Sequence, residues 1–186
     1  MKSIILRLKK ISIGSIVAGS ALFISACALF LSIQEIRIMR VQQEATMYPY
    51  LTIGGTYTKD GFGVELKNSG NGLAKINSYK IFLNNAYFKD WQDVVNTAMP
   101  EAKNVNYSLI DTSGNIRNQM ISPGESKILI FIKWTDETRI LEKRLQNMEI
   151  KICYESLLKD YWYIDSNIPN KIETSCIINK DEECGN

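Results

Sequence analysis

The sequence predicts a mainly β protein, with one N-terminal transmembrane helix followed by an antiparallel β-sandwich that carries short helical inserts. Two observations predict this fold class. Residues 11–33 form an apolar run without a single Asp, Glu, Lys, Arg, Asn or Gln. After residue 48, short segments alternate apolar and polar residues and are separated by Gly, Asn, Asp and Pro. That alternation is typical of half-buried strands joined by turns.

The apolar run is long enough to cross a bilayer. As a helix it would measure about 34 Å at roughly 1.5 Å per residue, against a hydrocarbon core of roughly 30 Å. The basic N-terminus, residues 1–10, contains four cations and no acid: Lys2, Arg7, Lys9 and Lys10. Only two basic residues, Arg37 and Arg40, follow the run closely. This bias predicts a cytoplasmic N-terminus and a main domain outside the cytoplasm, periplasmic or at the cell surface.

Two interpretations of the run remain open. Hydrophobicity continues through residues 28–31, beyond the length of a cleaved secretory signal, which favours an uncleaved signal-anchor. The run Ile24–Cys27 is similar to a bacterial lipobox, in which the chain is cut before the cysteine and the cysteine is acylated. Cys27 is therefore a candidate lipidation site, and the alternative is a lipoprotein-type signal. Either way the rest of the chain is tethered to a membrane.

Small residues recur at a spacing of four within the run, at Gly14 and Ala18 and at Ser15 and Gly19. This spacing allows two helix backbones to approach closely, so these four residues are candidates for helix packing. Residues 34–47 are expected to form a juxtamembrane stalk, since they contain good helix formers and stop before Tyr48-Pro49.

The sandwich domain is expected to span residues 48–178 and to be followed by a polar, solvated tail at 179–186. Eight strands are expected, at 50–58, 62–66, 74–83, 104–110, 127–134, 148–155, 161–164 and 171–178. Short helices are expected over 90–98 and from a cap at Thr135 to Leu145. The loop 68–72 is expected to turn with its glycines at positive φ.

Several motifs resemble those of uncharacterised bacterial membrane-anchored proteins. They are the strand entry Pro49–Leu51, the loop Asn68-x-Gly70-x-Gly72-x-Ala74, the strand entry Pro123–Glu125 and the hairpin that joins Tyr154 to Tyr161. In those proteins the loop usually reads Asn-x-Gly-x-Gly-Pro-Ala, and here Leu73 replaces the proline. The resemblance covers about residues 45–165 and implies that the sandwich is immunoglobulin-like. It carries no activity with it.

Three cysteines follow the membrane run: Cys153, Cys176 and Cys184. Cys153 alternates with the apolar residues Ile152 and Tyr154, so it is expected on the outer face of its strand, within reach of a partner from the C-terminal segment. Cys153 and Cys176 are the candidate disulfide. The alternatives are a Cys176–Cys184 bond and three free thiols.

The chain contains no histidine, which removes catalysis by Ser-His-Asp and Cys-His groups and the usual zinc sites. Acidic residues cluster at Asp90/Asp93, interpreted as a helix N-terminus, and at Asp181–Glu183, interpreted as solvated tail. We therefore expect no catalytic residues, metal, cofactor or small-molecule substrate.

The charges of the domain nearly balance. Six of the 22 basic and two of the 20 acidic residues precede residue 48, which leaves the domain 16 basic and 18 acidic residues. This balance argues against nucleic acid as a partner.

Tyr161, Trp162 and Tyr163 are consecutive, so they cannot all face the core, and they are candidates for a protein interface. The alternative is packing against the helix around Trp91.

The expected function is a membrane-tethered extracytoplasmic interaction or structural module without catalytic activity. Its partners would be the bilayer and either a membrane or envelope protein or a second copy. The runner-up is a membrane-perturbing effector whose helix oligomerises under control of the sandwich.

Overall fold

The structure, a computed structural model, describes residues 13–100, 110–165 and 168–185, and the chain divides into units 1–43 and 44–186. Helix α1 runs without a break from Ile13 to Thr46, about 51 Å at 1.5 Å per residue. It is long and apolar enough to cross a membrane, as the sequence predicted. The predicted stalk is helical as well, through Thr46. The predictions for residues 1–10 and for the first two residues of the span lie outside the described residues.

The second unit contains two antiparallel sheets, which confirms a mainly β fold with one long helix. The four-stranded sheet has the order β1-β2-β7-β5, and the six-stranded sheet has the order β10-β9-β8-β3-β4, with β6 pairing β3. Its strands are β1 (Leu51–Tyr57), β2 (Gly61–Asn68), β3 (Ala74–Leu83), β4 (Ala86–Phe88), β5 (Ile110–Thr112), β6 (Met120–Ile121), β7 (Ser126–Lys133), β8 (Glu149–Glu155), β9 (Tyr161–Asp165) and β10 (Ile168–Ile172).

Two expected strands differ from the structure. The strand expected at 104–110 lies outside the described residues except for Ile110, which begins β5. The edge strand expected at 171–178 is wrong in position, because β10 begins at Ile168 and ends at Ile172. Residues 173–178 leave the sheet. Two short strands, β4 and β6, had no counterpart among the expected eight.

The core lies between the two sheets. It is formed by the apolar residues that alternate with polar ones along the strands. On β8, Ile150, Ile152 and Tyr154 are buried on the core face, as expected. On β3, Ile76 and Tyr79 are both buried although they are three residues apart. The register shifts between Ile76 and Ser78, which restores the inward alternation after one extra residue.

Two short helices close the domain. Helix α2 (Trp91–Ala98) begins at Asp90, whose carboxylate accepts a 2.8 Å hydrogen bond from the N–H of Asp93. Helix α3 (Thr138–Arg144) is shorter than expected. The hydroxyl of Thr135 accepts from the N–H of Thr138 at 3.2 Å, so Thr135 does stabilise the start of the helix, from one turn upstream.

The loop at residues 68–72 is explained differently from the expectation. Among the glycines with positive φ, neither Gly70 nor Gly72 appears. Both are required by close backbone approach instead: a Cβ on Gly70 would collide with the carbonyl oxygen of Tyr48, and one on Gly72 with that of Met47. The N–H groups of Asn71 and Gly72 donate to the Tyr48 carbonyl at 3.0 and 3.1 Å. The loop therefore holds the entry of the domain in place.

Candidate functional site

The outer face of the six-stranded sheet is covered by the segment that follows β10, residues 173–185, which we call the C-terminal strap. Cys153 lies on this face because its neighbours Ile152 and Tyr154 face the core. The structure joins Cys153 to Cys176 in a disulfide, with Cα atoms 5.8 Å apart. Because Cys176 comes four residues after the end of β10, the bond fixes the strap to β8 and does not fix the last strand itself.

The expected solvated tail at 179–186 is wrong at Glu183 and Cys184, whereas residues 179–181 are exposed as expected. Glu183 is fully buried and Cys184 is only 3% exposed. The carboxylate of Glu183 accepts from the Ser78 hydroxyl at 2.6 Å and from the Tyr79 N–H at 2.9 Å. A buried carboxylate is costly unless hydrogen bonds compensate it, and here both oxygens have a donor.

The tail fills an opening in the sheet. One side of β3 pairs with β8 from Lys75 to Phe82, with one bulge, whereas the other side pairs with β6 at Ala74 and Lys75 and with β4 only from Ile81 onward. Between these two short partners, the carbonyl of Tyr79 accepts from the N–H of Cys184 at 2.8 Å. The strap thus supplies the hydrogen bonds that a strand would otherwise supply at this position.

Three further contacts hold the end of the strap. Lys80 pairs with Glu182 at 2.5 Å. Gly185 donates its N–H to the Lys89 carbonyl at 2.6 Å and accepts from the Asn115 side chain at 2.5 Å. Sequence reasoning missed this anchoring. The available signal was Cys184, because cysteine is among the residue types most often buried in protein interiors.

Cys184 is the only cysteine that the structure buries without a disulfide. Burial, with the negative charges of Asp90 and Glu183 as smaller causes, raises the pKa of its thiol to about 12. At neutral pH the sulfur is therefore protonated and weakly nucleophilic. It belongs to the apolar core and has the chemistry of a packing residue.

Two clefts border the strap. One, of about 420 Å³, lies between the strap and the sheet and is lined by Lys80, Cys153 and Tyr163 together with strap residues such as Ile177. The other, of about 340 Å³, lies beside α2 and is lined by Asp90, Trp91, Asn115 and Cys184 among others. The indole N–H of Trp91 and the buried hydroxyl of Tyr79 have no well-formed hydrogen bond.

The aromatic triplet divides between the two faces of β9. Trp162 is 3% exposed and stacks on Tyr154 at 5.6 Å between ring centroids, with the Tyr48 ring edge-on at 5.3 Å. The prediction that Trp162 is an interface residue is therefore wrong. Its ring partners are these two tyrosines, in place of the expected packing around Trp91. Tyr161 and Tyr163 are half-buried and face outward, and their interface role stays a prediction.

An acid–base cluster lies at the β8–β9 turn. The Glu155 side chain accepts from Lys159 at 2.8 Å and from Lys75 at 3.2 Å. Burial alone would raise the pKa of Glu155, but these hydrogen bonds outweigh it and lower the pKa to about 2. The glutamate is thus an anion at neutral pH, and it links β8 to β3. Within residues 13–100, 110–165 and 168–185, no group of three or more His, Cys, Asp or Glu side chains could hold a metal ion.

The candidate residues of the first unit all lie along α1. Gly14, Ser15, Ala18 and Gly19 are exposed on the helix, and a Cβ added to Gly19 would meet open space. Cys27 is exposed in the middle of the helix. Helix packing at the small residues and acylation of Cys27 stay predictions.

Comparison of the chain with protein-family models, with curated proteins and with solved structures finds no match. The resemblance to bacterial membrane-anchored proteins with an immunoglobulin-like sandwich stays a prediction.

Proposed function

We propose that this chain is a membrane-tethered interaction or structural module, anchored by α1 with its N-terminus in the cytoplasm and its β-domain outside. The observation that carries the proposal is the combination of one membrane-length apolar helix with a domain whose last segment is bound to the sheet by a disulfide. Structural disulfides persist in oxidising compartments and are rare in the cytosol. The cations before the helix favour the same orientation.

The polar groups of the domain support a structural or binding role. Three carboxylates are used within the fold: Asp90 begins α2, Glu155 joins two lysines, and Glu183 holds the strap. Each carboxylate has its donors from the protein itself. The partner of such a module is a membrane or envelope protein, or a second copy of the chain.

Cysteine labelling in intact cells tests the orientation. In a Cys27→Ala background, one variant carries Asn170→Cys, at an exposed position of β10, and a matched variant carries Ser3→Cys in the basic N-terminus. A membrane-impermeant maleimide should label position 170 in intact cells and position 3 only after permeabilisation. The reverse pattern, or equal labelling of both, contradicts the proposal. Cys184 contributes little background because it is buried.

The unbroken helix supports the anchor over the lipoprotein alternative. Cleavage before Cys27 would divide α1 near its middle, within a segment that is helical from Ile13 to Thr46. Mass spectrometry of the mature protein distinguishes the uncleaved anchor from the lipoprotein. An intact N-terminus is expected for the anchor, and a diacylated Cys27 as first residue contradicts it.

The second candidate, the membrane-perturbing effector, is favoured by the exposed small residues Gly14, Ser15, Ala18 and Gly19 on α1. A membrane-potential dye separates it from the module. Induced expression of an effector should depolarise the cells, and replacing Gly14 and Ala18 with Leu should abolish the depolarisation. A module should leave the potential unchanged with either sequence.

A further inference from the structure

The edges of the two sheets differ in how they are protected against pairing with another strand. Exposed strand edges are normally blunted by short length, by charge or by proline. Edge strand β10 contains Pro169 and Lys171, edge strand β4 has three residues, and edge strand β5 has three described residues. Edge strand β1 has seven residues, Leu51–Tyr57, with no charge and no proline. Among the described strands, β1 is the one long edge without any of these devices.

The free side of β1 is defined by its ladder with β2. The pairing is regular from Leu51 to Tyr57, and Tyr50 and Thr58 bond to the β2 side at its two ends. Because antiparallel residues alternate, the N–H and C=O groups of Leu51, Ile53, Gly55 and Tyr57 point away from β2. The N–H of Leu51 donates to the Tyr154 hydroxyl at 3.4 Å, which turns that end toward the other sheet.

The remaining three residues form an open edge. Within the described residues, no hydrogen bond reaches the main chain of Ile53, Gly55 or Tyr57 on that side. Exposure also rises along the strand, from the buried Leu51 to Tyr57 at 66%. Three outward residues offer six main-chain groups, which is sufficient for a short antiparallel ladder.

We propose that this edge pairs with the same edge of a second copy, β1 against β1 in antiparallel orientation, around a two-fold axis at Gly55. This register places Gly55 opposite itself and Ile53 opposite Tyr57, so that every outward residue meets an outward residue. The inference deepens the proposed function, on which it rests, by naming the partner as the chain itself.

The composition of β1 fits a second copy in particular. Around a two-fold axis a charged strand places like charges near one another, which is destabilising, and β1 has no charged residue. The strand is also uncrowded at the axis: a Cβ on Gly54 would meet nothing within 4 Å, and one on Gly55 would meet only the ring of Tyr57, at 3.2 Å. The Tyr57 ring then covers Gly55 and Ile53 across the pair. Two copies anchored in one membrane also meet at a raised effective concentration.

Disulfide crosslinking tests the register. Gly54 and Thr56 face each other across the proposed axis as a non-hydrogen-bonded pair, with Cα atoms about 4.5 Å apart, a distance that a disulfide can span. In a Cys27→Ala background, full-length Gly54→Cys and full-length Thr56→Cys proteins are mixed in detergent and mildly oxidised. The mixture should form a covalent heterodimer at least about tenfold more than either variant alone. As the matched control, Asn170→Cys on β10 should form no crosslink with either.

A charge test keeps the proposal falsifiable without crosslinking. Double variants Gly54→Lys/Thr56→Lys and Gly54→Glu/Thr56→Glu should each weaken self-association about tenfold by light scattering, and their one-to-one mixture should restore it. Lysines at Ile168 and Asn170 on β10 should leave it unchanged. A monomeric wild type, or dimers that survive the double variants, overturns the proposal. These measurements do not depend on membrane orientation. They therefore still test the β1 pairing if the labelling experiment contradicts the proposed orientation.

Discussion

The side chain of Asn68 donates a 3.0 Å hydrogen bond to the carbonyl oxygen of Ile121, 53 residues further along the chain. The same amide donates to the Gly72 carbonyl at 2.7 Å. Its oxygen accepts from the N–H groups of Tyr50 and Gly70 at 3.2 and 3.1 Å. One buried side chain thereby uses all four of its hydrogen-bonding positions to join the domain entry, the glycine loop and β6.

Asn68→Ala should destabilise the domain by about 3 kcal/mol or more, because it leaves buried main-chain groups on three segments without a partner. Asn68→Asp should be as harmful, since a carboxylate would face the carbonyl oxygens of Gly72 and Ile121. Urea unfolding of the full-length protein measures the loss. Asn71→Ala, at an exposed position of the same loop, should change stability by less than about 0.5 kcal/mol. Similar losses for positions 68 and 71 would show that the loop does not depend on this network.

The disulfide gives the second prediction. Cys153 and Cys176 are separated by 23 residues, and closing such a loop is expected to stabilise the folded state by about 3 kcal/mol on the chain-entropy model. Cys153→Ala with Cys176→Ala should therefore lower the Tm by about 10 °C. The double variant should also expose residues 173–178 to protease.

Reductant supplies the control for this experiment. It should lower the Tm of the wild type and leave that of the double variant unchanged. Alkylation of unreduced, denatured protein should modify two thiols, Cys27 and Cys184. Four modified thiols would contradict both the bond and the extracytoplasmic location.

Local patterns predicted much of this fold. Strand β3 has the bounds expected from its alternation, and α2 follows from a capping aspartate and apolar residues at 91, 94 and 95. The burial of Glu183 was not predictable in this way. It depends on the opening beside Tyr79, which exists because β6 and β4 both stop short of it, and neither strand was expected. A polar tail is predicted to be solvated unless its hydrogen-bond donors, about 100 residues earlier in the chain, are known.

The glycine loop shows the same limit. The sequence indicated a turn at residues 68–72, and a turn is present. The reason for Gly70 and Gly72 is the main chain of Met47 and Tyr48 pressed against them, a contact with a segment more than 20 residues earlier. Local turn statistics contain no information about such an approach.

Glu155 predicts how stability depends on pH. Its pKa in the folded protein is about 2, below the ordinary value of 4.5, so its contribution is complete above pH 4.5 and is lost as the pH falls toward 2. Glu155→Gln should reduce the free energy of unfolding by about 2 kcal/mol at pH 7 and by progressively less below pH 4.5. Chemical unfolding across this range measures the difference. Glu149→Gln, with a side chain 46% exposed, should change stability little. A Glu155→Gln deficit that is constant down to pH 2 would contradict the assignment.

Release of the strap from the sheet can be measured through the Cys184 thiol that the strap buries. Glu183→Ala leaves the Ser78 hydroxyl and the Tyr79 N–H without their acceptor, which should favour local opening of residues 179–185 by about 1–3 kcal/mol. Cys184 becomes accessible only in the open state. In a Cys27→Ala background its native-state alkylation should therefore accelerate about 10- to 100-fold, since each 1.4 kcal/mol is a factor of ten. Asp181→Ala, exposed on the same strap, should leave the rate within about twofold. Equal rates for the two variants would mean that Glu183 does not hold the strap, and that the disulfide at Cys176 is the attachment that matters.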